Sequence, residues 1–141
     1  MPLLKNGEYM FFNCYNLTTF DGNLSLLERG YNMFMSCKSF KTFNSSLDSL
    51  INGEGMFSYC KLDKPSVQNI INCLRASNIL STTGTITIGI DKALASDSEF
   101  LAFLGIETGT NQTITITPPV RTLEDGTTVG GGTWAVQLQF N

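Results

Sequence analysis

The chain repeats itself at a fixed interval of 23 residues, and no other feature constrains its fold as much. Residues 6–28, 29–51 and 52–74 align without a gap. Gly7, Gly30 and Gly53 fall in register, as do Met10/Met33/Met56, Phe11/Phe34/Phe57 and Cys14/Cys37/Cys60. Leu17 matches Phe40, Phe20 matches Phe43, Leu24 matches Leu47 and Leu27 matches Leu50. One such unit cannot bury both sides of its apolar layer, so the spacing predicts units stacked about 4.8 Å apart. Each unit would supply Met-Phe from a short helical turn, then a Cys at a bend, then a short strand such as Leu17-Thr18-Thr19-Phe20. The recurring glycine is the expected site of a turn that needs positive φ. Polar runs such as Asp21-Gly22-Asn23 suit the turns that bring the chain round.

The third copy keeps the pattern through Cys60 and then departs from it. Asp63 or Lys64 reads as a helix cap with Pro65 in the first turn. Val67, Ile70, Ile71 and Leu74 follow at the spacing of one helix face. Beyond it the chain reads as a strand at 84–90, a helix near 97–104, a strand at 112–117 and a final strand at 133–140. In that last strand Trp134, Val136, Leu138 and Phe140 alternate with Ala135, Gln137 and Gln139. Asp97 and Glu99 read as capping residues, and Glu124-Asp125-Gly126 as a turn. Gly130-Gly131-Gly132 reads as a flexible hairpin or linker, since no βα unit precedes it to make a phosphate cradle.

The interval lies in the range of leucine-rich repeats, about 20 to 29 residues. The pattern MF-x-x-C-x-x-[LF]-x-[ST]-F resembles the BspA-type leucine-rich repeats of bacterial surface proteins, with similar repeats in gut bacteria and their phages. The resemblance covers roughly residues 3–74. It implies a fold and a habit of surface binding or adhesion, with no catalytic residues to carry over. The expected fold class is an α/β repeat: a short leucine-rich-repeat solenoid of about three coils over residues 1–74, with an α+β C-terminal cap over 75–141 that shares its core. Leu3 and Leu4 align with Leu26 and Leu27, so residues 1–5 read as the tail of a further coil. Two expectations follow from that end: a fragment of a longer array, or an uncapped coil that packs on another subunit.

Composition narrows the function. The chain has no histidine, which excludes Ser-His-Asp and Cys-His catalysis and every His-based metal site. A net charge of -3, with nine scattered basic residues, argues against nucleic acid. No apolar run approaches the roughly 18 to 20 residues of a membrane span, and Lys5 and Glu8 interrupt any signal-peptide core. Cys14, Cys37 and Cys60 lack C-x-x-C spacing, and stacking would bring them within disulfide reach. Buried reduced thiols are the expected state, with a disulfide or a metal the alternatives; Cys73 reads as packing. Asp21-Gly22-Asn23 is too short for a calcium loop. The sequons at Asn16, Asn23, Asn44 and Asn111 carry no weight in an Asn- and Thr-rich chain.

No enzyme, cofactor or metal site is therefore expected. Repeats bind through the columns their core leaves free: Glu8/Tyr31/Glu54, Phe12/Met35/Ser58, Tyr15/Lys38/Lys61 and Thr18/Lys41. The candidate partner-binding residues are Tyr15, Tyr31, Lys38, Lys41 and Tyr59, offering rigid amphipathic faces to a protein or glycan surface. The expected function is adhesion or recognition at a bacterial surface; the alternative is a structural subunit of an assembly such as a phage virion or tail fibre. An extracellular, cell-surface or virion location follows from the resemblance.

Overall fold

The computed structural model describes residues 3–80 and 82–141. In chain order the elements are β1 (Thr19–Phe20), β2 (Thr42–Phe43), β3 (Asn52–Leu62), α1 (Lys64–Arg75), β4 (Thr83–Ile90), a 3₁₀ turn at Lys92–Ser96, α2 (Ser98–Leu104), β5 (Gln112–Ile116), β6 (Arg121–Thr122), β7 (Thr128–Val129) and β8 (Thr133–Phe140). β1 pairs with β2, β6 with β7, and a four-stranded mixed sheet runs in the order β3-β4-β8-β5.

The expected leucine-rich-repeat solenoid is not what the chain forms. The protein is a small mixed α/β fold with three sheets and two α-helices among the described residues. The third 23-residue segment overturns the expectation, because its first half is no coil. It opens into the eleven-residue strand β3 and joins β4 in parallel, Asn52 opposite Thr85 and Leu62 opposite Ile90. The driving force is tertiary: Ile86, Ile88 and Ile90 of β4 are fully buried and cover the face that a further coil would have covered. The first two segments are loops, the second laid along β3 and the first along the second, and the strands expected in them shrink to two residues each.

Backbone hydrogen bonds fix how the segments lie. The N–H groups of Gly7, Tyr9, Phe11 and Asn13 donate to the carbonyls of Arg29, Tyr31, Met33 and Met35 at 2.8 to 3.1 Å. Those of Gly30, Asn32, Phe34 and Ser36 donate in turn to Asn52, Glu54, Met56 and Ser58 at 2.8 to 3.0 Å. Between these bonds the chain makes tight turns, with Met10 N–H donating to Gly7 and Cys14 N–H to Phe11. The recurring glycines are not the left-handed positions that were expected. Positive φ falls instead at Tyr9, Asn32 and Gly55, and at Asn13, Ser36 and Tyr59. The glycines serve close approach: a Cβ at Gly7 would lie 2.8 Å from Met33 Sδ, and one at Gly30 would lie 2.8 Å from Met56 Sδ.

Aromatic rings carry the packing from segment to segment. Phe11 stacks on Phe34 at 5.3 Å and Phe34 on Phe57 at 5.5 Å, while Phe20 stacks on Phe43 at 5.9 Å. Each such pair contributes about 0.5–1.5 kcal/mol beyond its buried area. The helices fall where the sequence places them. Asp63 caps α1 by accepting from Ser66 N–H at 3.0 Å, and Asp97 caps α2 by accepting from Phe100 N–H at 3.0 Å. At the other end of α1, Arg121 donates to the carbonyls of Ala76 and Ser77, supplying partners that a helix terminus lacks. Lys64 bridges Asp97 at 3.2 Å and Glu99 at 3.1 Å, tying the starts of the two helices together. The Gly130-Gly131-Gly132 run is a packed crossing and not a free linker. Gly131 bridges Leu80, and a Cβ at Gly130 would collide with the Pro119 carbonyl. One continuous core runs from Leu24 to Leu138, so both sequence halves share it.

Candidate binding surface

The first segment carries the surface of interest. Its column residues are of the same kind as those of the second, but their burial differs. Met10 is 44% exposed where Met33 and Met56 are 0%. Tyr9, Phe12 and Tyr15 are also exposed, at 50%, 41% and 54%. Tyr9 stands edge-on to Phe12 at 5.6 Å and to Tyr31 at 5.5 Å, so the three rings form one cluster. Lys38 Nζ sits 5.7 Å from the centre of the Tyr15 ring, within cation–π range. Left-handed backbone at Tyr9 and Asn13 makes the tight turns that present these side chains. The Tyr9 phenol raises the pKa of Tyr31, through hydrogen bonding first and charge second.

Of the five residues singled out by sequence, the structure joins Tyr15 to Lys38 and places Tyr31 in the Tyr9–Phe12 cluster. Lys41 is exposed beside β2, where its carbonyl accepts from Asp63 N–H and Ser66 Oγ–H. Tyr59 is exposed on β3, its N–H donating to Gln139 Oε1 at 3.2 Å. Neither makes an aromatic or cation–π contact with the others among the described residues. Sequence reasoning passed over Tyr9 and Met10. Their columns alone do not mark them: they are open because, among the described residues, no segment covers the first as the first covers the second.

The edge beneath these side chains is equally incomplete. The carbonyls of Asn6, Glu8, Met10 and Phe12 are the counterparts of those of Arg29, Tyr31, Met33 and Met35, yet they accept no hydrogen bond from any described residue. Cysteines show the same contrast. Cys37 Sγ donates to the Phe11 carbonyl at 2.9 Å and Cys60 Sγ to the Phe34 carbonyl at 3.1 Å, whereas the half-buried Cys14 donates to none among the described residues. Burial pushes the Cys37 thiol up to about 11 and the Cys60 thiol higher still. All four cysteines are free thiols. Among the described residues no three His, Cys, Asp or Glu side chains gather as a metal site would require.

A separate apolar cavity of about 320 Å³ is lined by Leu50, Ile51, Ile79 and Leu80, with Asp48 its single charged neighbour. It lies apart from the aromatic cluster. Among the described residues no helix is long and apolar enough to cross a membrane. No family model, curated protein or solved structure matches the chain.

Proposed function

We propose that this protein is a non-catalytic recognition module that holds a protein or glycan surface through the aromatic edge of its first segment. The observation that carries the reading is the cluster of the exposed Tyr9 and Phe12 with the half-buried Tyr31, together with the exposed Tyr15 under Lys38 on the same segment. Such rings offer large contact area at small entropic cost, and an ordered apolar patch on a surface marks an interaction site. Adhesion at a bacterial cell surface is the setting taken from the BspA-type resemblance.

The test pans the chain against a random heptapeptide library and a glycan array, beside a Tyr9→Ser, Phe12→Ser, Tyr15→Ser variant. Ligands held by the wild type should weaken at least about tenfold in the variant, the effect of losing hot-spot aromatics. No ligand at all, or ligands indifferent to the three substitutions, would contradict the reading. A second reading is a structural subunit of an assembly such as a phage virion or tail fibre. The unfilled carbonyl row of Asn6 to Phe12 favours it, because another subunit could cover that row. Light scattering distinguishes the two, since a stable oligomer in which Met10 becomes protected would favour assembly.

A further inference from the structure

We infer that the partner of this edge is an extended polypeptide segment, added backbone to backbone and parallel to residues 6–13, with a glycine facing Asn6. The inference rests on the recognition reading above and names the class of its partner. The molecule shows twice how such an edge is covered. The first segment covers the second through four N–H donors at alternate residues, beginning at Gly7, and the second covers β3 through four more, beginning at Gly30. Each time, the methionine of the covered segment lies under the glycine of the covering one, Met33 under Gly7 and Met56 under Gly30. A cysteine thiol of the covered segment donates to the phenylalanine carbonyl of the covering one, Cys37 to Phe11 and Cys60 to Phe34.

On the first segment the covered half of this arrangement is present and the covering half is missing among the described residues. Four carbonyls at alternate residues accept nothing, Met10 lies open, and Cys14 has no acceptor. Three independent kinds of group thus specify one occupant. It must bring N–H donors at residues i, i+2, i+4 and i+6 to Asn6, Glu8, Met10 and Phe12. Glycine is the favoured residue i, because a Cβ there would crowd the Met10 tip as one at Gly7 would crowd that of Met33. The carbonyl of residue i+4 accepts from Cys14 Sγ. Residues i+2 and i+6 must tolerate left-handed backbone, as Tyr9 and Asn13 do here. A glycan has no such row of donors, so hydrogen-bond complementarity favours a polypeptide. Residues 7–13 and 30–36 cannot serve from a second copy without unfolding, since their donors are already used, and the open-edged β5 has neither a glycine nor a left-handed residue to match the pattern.

The probe is a synthetic peptide with the sequence of residues 5–13, titrated into the intact protein and followed by NMR. The expected result is saturable binding, with shifts confined to residues 6–14 and slower alkylation of Cys14. N-methylation of the peptide at its Gly7, Tyr9 or Phe11 position should weaken binding roughly tenfold, the effect of one lost buried hydrogen bond. Methylation at its Glu8 position, whose N–H bonds only to the Asn6 side chain, should cost less than about threefold. A Gly7→Val peptide should bind about tenfold more weakly. Absence of binding, or equal effects of methylation at Glu8 and at its neighbours, would overturn the inference. In that case ligands selected from the library or array, and lost in the triple variant, would still uphold the recognition reading.

Discussion

The first and second 23-residue segments amount to a controlled comparison within one molecule. Both carry Gly, Met-Phe, Cys and Phe at the same intervals, and both make the same turns. They differ in their neighbours. The second lies between the first and β3, while only the second lies against the first among the described residues. Met33, Phe34 and Cys37 are fully buried in consequence, whereas Met10 is exposed and Phe11 and Cys14 are half-buried. Identical residue types thus serve as core in one place and as surface in the other. Neighbours, and not residue identity, decide which.

That comparison can be broken most forcefully at the phenylalanines. Phe34→Ala removes a ring stacked on both Phe11 and Phe57 and should cost about 3–5 kcal/mol of unfolding free energy. Phe11→Ala, half-buried and stacked on one side, should cost under about 2 kcal/mol. Urea denaturation of the two variants decides it, and equal costs would dissolve the distinction between the segments.

Alkaline pH sharpens the same contrast at the buried thiol. Burial raises the Cys37 pKa from its ordinary 9.0 to about 11 in the folded chain. The folded state therefore holds its proton more tightly than the unfolded state does. This contribution to stability is complete below pH 9 and is lost as pH rises through 9 towards 11, amounting to at most about 3 kcal/mol. The urea midpoint should fall across that window, and a Cys37→Ala variant should show a shallower fall. An unchanged slope in the variant would place the alkaline loss elsewhere.

The glycine column offers a smaller effect and a control. Gly7 meets Met33 and Gly30 meets Met56 at the same 2.8 Å, so each glycine depends on the segment that follows it. Gly7→Ala and Gly30→Ala should therefore cost about the same, near 1 kcal/mol each, because the obstacle is the mobile tip of a methionine. A costless Gly7→Ala beside a costly Gly30→Ala would show that the first segment is held less tightly than its hydrogen bonds indicate.

The later elements were legible because their signals are local. Asp63 and Pro65 mark the start of α1, the 3.6-residue spacing of Val67, Ile70, Ile71 and Leu74 marks its buried face, and the alternation from Trp134 to Phe140 marks β8. The fold class was misread because Met56-Phe57 and Cys60 match the earlier copies, so nothing local in them announces an eleven-residue strand. β4 makes it one, from about thirty residues downstream, by covering its face. The left-handed columns were hidden for a related reason. Tyr9, Asn32 and Gly55 share a backbone conformation but no side-chain chemistry. For the surface, the variation among columns pointed to Tyr15, Tyr31 and Lys38, while Tyr9 and Met10 became visible only once the burial of each segment was known.

The central claim is that the first segment presents as surface what the second buries as core. Peroxide oxidation of the native chain, mapped by mass spectrometry, measures this at one residue type. Met10 should oxidise at least about tenfold faster than Met33 and Met56, with the half-buried Met35 between them, and the difference should vanish in urea. Equal native rates at Met10, Met33 and Met56 would contradict the account, because the first segment would then be as covered as the second.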